Sequence, residues 1–476
     1  MRVSWLVSSF ALAAVLMAFP LSSARVGKET GRKQAGKNKS KWTETRLTCE
    51  TGGSDKLNEL FDLGADIYVL TNEDYEPIPL ARETNQSGID NWLREAGGEI
   101  DIRHKAGPDS IHYACRYGDL NLLNRLLTDR VNINILSRAG FAPIHYACRY
   151  KQLEILNRLI VAGADVDIKD TEGWAPILYA CQDGHLDILD RLIAAEARVN
   201  STNHEGLALI HLACAHGCLK ILNRLLERGV CTMFNLVDND GWAPIHFASR
   251  NGHLTILNSL IGAGATIYTR NKAGKAPIHL ACEQGHLHIL NRLIDAGANV
   301  YVPDIKGSTP IHIVCKNGRL DMLYRLIDVG ALTIINSIDK VGWASIHYAC
   351  VNAHLEIVNE LIKHKPNINI NIETTDGWTP IRLACWHGHL GIFNCLIGAG
   401  AEINVPDVNG KTLIHLACEN GHLSILNALI ALGVDINAVD NDGRRAIDMV
   451  EATSELYEVL LADEPRRSKR ICSRKL

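Results

Sequence analysis

A single apolar phrase returns down the chain: Pro143-Ile144-His145-Tyr146-Ala147-Cys148, Pro176-Ile177-Leu178-Tyr179-Ala180-Cys181, Pro277-Ile278-His279-Leu280-Ala281-Cys282. Its isoleucines stand at Ile78, Ile111, Ile144, Ile177, Ile210, Ile245, Ile278, Ile311, Ile346, Ile381, Ile414 and Ile447, mostly 33 residues apart with three steps of 35. A period near 33 belongs to stacked helix-pair units and overrides the several globular domains that a chain of 476 residues would otherwise suggest. The stretch Asp170 to Asn203 shows how one unit folds. Pro176 suits the first turn of a helix, where a missing N–H costs nothing, and Ile177, Ala180 and Cys181 recur at helical spacing on a face of small residues. Gly184-His185 breaks that inner helix. Leu186, Ile188, Leu189, Leu192 and Ile193 then form the stripe of an outer helix, and an extended connector leads to His204-Glu205-Gly206. One unit cannot bury its own stripe, so the units must stack into a continuous core.

These residues resemble the ankyrin repeat, whose pattern is a Gly-x-Thr-Pro-Leu-His-x-Ala opening, a Gly-His middle and a Gly-Ala-Asp-Val-Asn close. The resemblance covers about residues 45–463 and implies an all-α solenoid of helix-turn-helix units with β-hairpin-like fingers. Some units depart from the pattern: Leu178 and Arg382 replace the opening His, and Ser249 replaces Cys. Residues 73 to 105 fit loosely, through Pro77-Ile78-Pro79-Leu80-Ala81. The piece from Leu57 to Ile67 reads as an N-terminal cap, and Arg445 to Leu461, lacking the Gly-His turn and the connector, as a C-terminal one. About eleven units are expected between the two caps.

The ends of the chain differ from this body. Arg2 followed by the apolar run Val3 to Phe19 and by Pro20-Leu21-Ser22-Ser23-Ala24 reads as a signal peptide over residues 1–24, cleaved after Ala24. The alternative is an uncleaved N-terminal membrane anchor, against which Ser8, Ser9 and Pro20 count. Residues 25–44 and 464–476 are basic, lack apolar periodicity and read as disordered arms. Without Arg2 and the basic stretches Arg25 to Arg46 and Arg466 to Lys475, the net charge of −4 leaves an intervening body of about −17, a poor match for a phosphate backbone. The tail Arg466-Arg467-Ser468-Lys469-Arg470 reads as a solubilising end, with nuclear import the competing reading. Sequons at Asn38, Asn85 and Asn200 are near chance frequency.

His-x-x-Cys recurs at His112/Cys115, His145/Cys148, His211/Cys214, His279/Cys282, His312/Cys315, His347/Cys350 and His415/Cys418. A metal needs several ligands converging on one point, whereas these pairs are spread one to a unit, so no metal or cofactor is expected. The resemblance implies that the His bonds backbone near the turns and that the Cys is a small packed residue. Equivalent helices about 8–10 Å apart are too distant for a disulfide, so the ladder is expected as free thiols, with no evident pair among Cys49, Cys218, Cys231, Cys395 and Cys472. An exported chain rich in free thiols suggests a reducing destination, such as a host-cell cytosol. No phosphate loop, nucleophile elbow or isolated carboxylate pair appears, so the reading is a non-enzymatic chain.

Specificity must lie in what varies while the scaffold repeats. The residue after the connector Gly is aromatic at Phe141, Trp174, Trp242, Trp343 and Trp378, but Leu207, Lys275, Ser308 and Lys411 elsewhere. The resemblance makes this a fingertip on the concave side and a frequent contact site. The residues after Ala-Cys vary too: Arg116-Tyr117, Arg149-Tyr150, Gln182-Asp183, Ala215-His216, Glu283-Gln284, Lys316-Asn317 and Trp386-His387. Candidate partner-binding residues are therefore the five fingertip aromatics with Arg116, Tyr117, Arg149, Tyr150 and Trp386. The competing reading has each Trp lie flat on the next finger and stiffen the stack. The two-residue extensions fall in the connectors before Trp242, Trp343 and Trp378, which reads as lengthened fingers. The row Arg125, Arg158, Arg191, Arg224, Arg292 and Arg325 reads as a solvated outer face with Asn side chains bonding neighbouring units. The expected protein is a monomeric effector or adaptor with a protein partner and no small-molecule substrate; the competing readings are an extracellular or membrane-tethered structural or surface protein that self-associates, and a toxin or enzyme whose activity lies outside the repeats.

Overall fold

The computed structural model describes residues 110–227, 233–364 and 366–462. The expected signal and arm at 1–44, the expected N-terminal cap, the loosely fitting unit at 73–105 and the tail at 464–476 lie outside the described residues. Within them are ten helix pairs. The inner helices are Ser110–Tyr117, Pro143–Arg149, Pro176–Gln182, Leu209–Ala215, Pro244–Asn251, Pro277–Gln284, Pro310–Asn317, Ser345–Val351, Pro380–Trp386 and Leu413–Glu419. The outer helices are Leu120–Thr128, Leu153–Val161, Leu186–Ala194, Leu219–Glu227, Leu254–Gly262, Leu287–Asp295, Leu320–Asp328, Leu355–Lys363, Leu390–Gly398 and Leu423–Ala431. Each inner helix packs against its own outer helix and against the inner helix of the next repeat. This is the all-α solenoid that the period predicts.

Burial follows the pattern residue by residue. Ile177, Ala180 and Cys181 of one inner helix and Ile188, Leu189 and Leu192 of its outer helix are fully buried. Each large side chain removed from water contributes about 2 kcal/mol, and Ala and Cys keep inner helices close enough for their neighbours to interdigitate. A half-buried Leu such as Leu186 caps the edge of the same core.

Polar links set the register between repeats. The backbone N–H of Ala142 donates to His145 Nδ1 at 2.9 Å. Because an N–H can only donate, Nδ1 carries no proton, and the imidazole is the neutral Nε2–H form. That Nε2–H reaches the carbonyls of Ile168 at 3.1 Å and Trp174 at 3.0 Å, both on the connector that leads into the next repeat. His246 repeats the arrangement with Ala243, Thr269 and Lys275. A second histidine, in the turn between helices, bonds backward: His286 Nε2 to Arg250 O and His422 Nε2 to Trp386 O. Most of the described repeats are thus tied forward at one end of the inner helix and backward at the other.

The two departures at the forward position resolve differently. Arg382 is 5% exposed and sends Nη1 to Val405 O and Nη2 to Lys411 O, the carbonyls a histidine would reach, with Asp407 Oδ2 3.4 Å from Nη2. Leu178, fully buried, supplies packing alone, and there the connector closes through a bridge between Thr202 and Ala208.

The connectors end in hydrogen-bonded turns rather than sheet, and the described residues contain only isolated bridges. Asp170 N–H donates to Trp174 O, Gly173 N–H returns to Asp170 O, and Asp170 Oδ1 accepts from Glu172 and Trp174 N–H. Adjacent fingers bond in series, as Lys272 N–H to Asp240 O and Ile305 N–H to Ala273 O. The close approach demands glycine: Gly274 has φ +72°, and a Cβ there would stand 2.6 Å from the Ile305 nitrogen.

The expectation of lengthened fingers is corrected. The turn Asp238 to Trp242 closes by the same bonds as Asp170 to Trp174, and so does Asp339 to Trp343. The additional residues lie nearer the outer helix, where the 3₁₀ turns Met233–Asn235 and Ala331–Ile334 form, so the fingertip turn keeps the hydrogen bonding of the shorter repeats. At the C-terminal end the 3₁₀ turn Ala446–Met449 packs on Leu413–Glu419 in place of an inner helix, and Leu460 of the closing helical stretch is buried.

Replacing His246 by Leu removes three hydrogen bonds and strands the Ala243 N–H; it should destabilise the chain by about 2–3 kcal/mol in urea titration, whereas Arg382→His should change it by less than about 1 kcal/mol. Equal losses would show that the forward bonds matter less than side-chain volume. Burial also lowers the pKa of His145, His211, His246, His279 and His312, and that of His347 to about 4 from 6.5. The unfolded chain then binds protons first as pH falls. Stability is full above about pH 6.5 and should decline progressively down to about pH 4, read as a falling urea midpoint.

Candidate functional interface

The finger turns deliver a backbone-anchored side chain beside each inner helix. Trp174 is held through its own N–H by Asp170 and lies half-buried with its ring 5.0 Å from that of Tyr179 and inclined by 28°. Tyr179 is fixed in turn, its hydroxyl donating to Asp170 Oδ2 at 2.6 Å. Burial and that neighbouring carboxylate push the phenol pKa well up, so it stays a donor. The same triplet recurs as Trp343, Tyr348 and Asp339, with ring centres 5.1 Å apart. Phe141 packs on Tyr146 at 5.5 Å and Trp242 on Phe247 at 5.2 Å. In the ninth described repeat Leu383 holds the corresponding place, and Trp378 meets Trp386 edge-on at 5.4 Å instead.

All five fingertip aromatics are half-buried, each with a ring contact to its own inner helix, and Phe141 also meets Tyr179 of the next repeat at 5.8 Å. Their partners Tyr146, Tyr179, Phe247 and Tyr348 stand outside the set expected from sequence. The available signal was an aromatic five residues after the fingertip, where other repeats carry Leu280, Ile313 or Leu383.

The remaining expected residues gather at the N-terminal side of the described repeats. Arg116, half-buried, lies over the rings of Tyr117 at 5.3 Å and Tyr150 at 5.0 Å. Tyr150 stacks on Tyr146 at 6.4 Å, and exposed Arg149 lies 5.9 Å from the Tyr179 ring centre. Arg116, Tyr117, Phe141, Arg149, Tyr150 and Trp174 thus join into one aromatic and cationic surface over three repeats. Trp242, Trp343 and the Trp378–Trp386 pair stand separately along the stack.

A second register governs charge. A fingertip residue faces the inner-helix residue eight positions later, as Trp378 faces Trp386. In the sixth described repeat these are Lys275 and Glu283, and in the tenth Lys411 and Glu419, both pairs closed as salt bridges. In the fifth, Arg250 lies over Trp242 at 5.4 Å.

The histidines and cysteines do not converge: among the described residues no three His, Cys, Asp or Glu side chains gather as a metal site needs. Each ladder cysteine is buried as a free thiol. Cys181 Sγ donates to Leu209 O at 3.0 Å and Cys385 Sγ to Leu413 O at 3.3 Å, so the thiol is one more link to the next inner helix. Burial raises the pKa throughout, for Cys385 and Cys418 to about 12. Cys218 and Cys395 are half-exposed. Cys49, Cys231 and Cys472 lie outside the described residues. On the outer face the arginines are not simply solvated: Arg191 Nε bonds Asn157 Oδ1 at 2.6 Å, Arg292 Nε bonds Asn258 at 2.6 Å, and Arg224 pairs with Asp190 at 2.7 Å.

The family model for ankyrin repeats in three copies matches the chain over residues 80–170, 144–235, 177–271, 230–304, 278–374, 331–407 and 367–440, well over half its length. A comparison with individual curated proteins finds no match.

Iodoacetamide applied to the native chain should alkylate Cys218 and Cys395 well before any of the ladder cysteines, which become reactive only in denaturant, as peptide mass spectrometry would register. Early labelling of Cys181 or Cys385 would contradict the bonded, high-pKa thiols.

Proposed function

Because the chain belongs to the ankyrin-repeat family, whose repeats generally mediate protein–protein interaction, we propose that it is a non-enzymatic scaffold that grips a protein partner along the surface made by its fingers and inner helices. The observation that carries this is the set of backbone-anchored, half-buried aromatics Phe141, Trp174, Trp242, Trp343 and Trp378, joined by Arg116, Tyr117, Arg149, Tyr150 and Trp386. Side chains of these types dominate binding energy, each worth about 2 kcal/mol when a partner covers it. Their rings are already ordered, so little rotamer entropy is lost on binding. The histidines are occupied with backbone and the thiols are held protonated, which favours adhesion over chemistry.

The scaffold acts as a monomer, exported through residues 1–24 and working as an effector in a reducing place such as the cytosol of a host cell. The apolar run after Arg2 and the ladder of free thiols support that reading. The acidic body, about −17 without its arms, disfavours nucleic acid as the partner of the repeats.

Affinity capture from candidate host lysate, with bound proteins identified by mass spectrometry, tests the scaffold reading. Trp174→Ala combined with Trp378→Ala should weaken capture by about tenfold or more while shifting the unfolding midpoint by only a few degrees. A collapse of the midpoint with capture intact would assign these rings to packing.

A further inference from the structure

At the register where fingertip and inner helix face each other, Lys275 and Lys411 are neutralised by Glu283 and Glu419. Three cations at the inner-helix end of that register lack such a partner. Arg149 stands eight residues after Phe141, Arg250 after Trp242 and Lys316 after Ser308. All three are exposed, and none enters an ion pair among the described residues. Asp183 feels the charge of Arg149 but stops short of pairing with it. Each cation lies over a ring: Arg149 over Tyr179 at 5.9 Å, Arg250 over Trp242 at 5.4 Å, Lys316 over Tyr348 at 5.6 Å. A ring face holds a cation in place without cancelling its charge or occupying its N–H donors.

We propose that Arg149, Arg250 and Lys316 read carboxylate side chains of an extended acidic peptide laid along the fingers and inner helices, with the neighbouring rings packing its apolar residues. This deepens the scaffold reading and rests on it. Charge complementarity selects the occupant: the chain's own basic arms carry the wrong sign for these three points. Spacing gives the proposal content. Three repeats separate Arg149 from Arg250 and two separate Arg250 from Lys316. At about 8–10 Å per helix step those gaps are roughly 27 Å and 18 Å, or about eight and about five residues of extended chain.

The test is panning of a displayed library of random peptides, each about fifteen residues long, against the full chain. Asp and Glu should be enriched at positions with these separations. Arg149→Gln, Arg250→Gln and Lys316→Gln should each weaken a selected peptide by about fivefold, with thermal midpoints unchanged, and the loss should shrink in high salt. Selected peptides without acidic enrichment, yet lost on Trp174→Ala with Trp378→Ala, would overturn this inference and leave the scaffold reading standing. Selection that neither set of variants disturbs would sink both. Tighter binding of a labelled oligothymidylate than of any acidic peptide, abolished by the same Gln variants, would replace the peptide with a single-stranded nucleic acid.

Discussion

The stack depends on one kind of contact: a neutral imidazole, buried between two repeats, that accepts from the start of its own helix and donates to the connector of the next. His145, His246 and their equivalents are buried almost completely, so an unmade bond there would leave a desolvated polar group with no water to replace it. The cost of error is what fixes the register. Hydrophobic burial drives the repeats together, yet Ile, Leu and Ala faces can slide by small amounts at little penalty. A ring nitrogen with two carbonyls to satisfy cannot.

The exception at Arg382 shows that a side chain other than histidine can meet the same carbonyls, whereas Leu178 fills the position by packing alone. A longer side chain with a forked head reaches the same two oxygens, and Asp407 compensates the charge that the fork brings in. The backward-reaching histidines, the finger turns and the thiol links at Cys181 and Cys385 then repeat the same logic at other points on the inner helix. With the scaffold satisfied internally, fingertip and groove positions are released to vary. The chain uses that freedom unevenly, with aromatic pairs in some repeats, closed Lys–Glu pairs in others, and cations over rings in a few.

Chemistry that looks available in the sequence is consumed by this architecture. The His-x-x-Cys phrase, spread one to a unit, already argued against a metal, and the described histidines bond backbone while the ladder thiols lie buried. Such groups cannot serve as ligands or nucleophiles without breaking the stack that positions them.

Periodicity alone determined the repeat, the inner and outer helices and the buried stripes, because each of these is local: proline at a helix start, small residues at helical spacing, glycine where φ is positive. It also marked the fingertip aromatics, since they stand out against a repeating background. What only the tertiary structure decided is which side chains meet. Trp174 stacks on Tyr179, the two additional residues before Trp242 and Trp343 are absorbed near the outer helix, and Arg250 and Lys316 belong to the same register as Glu283. These facts depend on how a turn projects its side chain across a helix and on the distance between stacked repeats, and no one-dimensional spacing encodes either quantity.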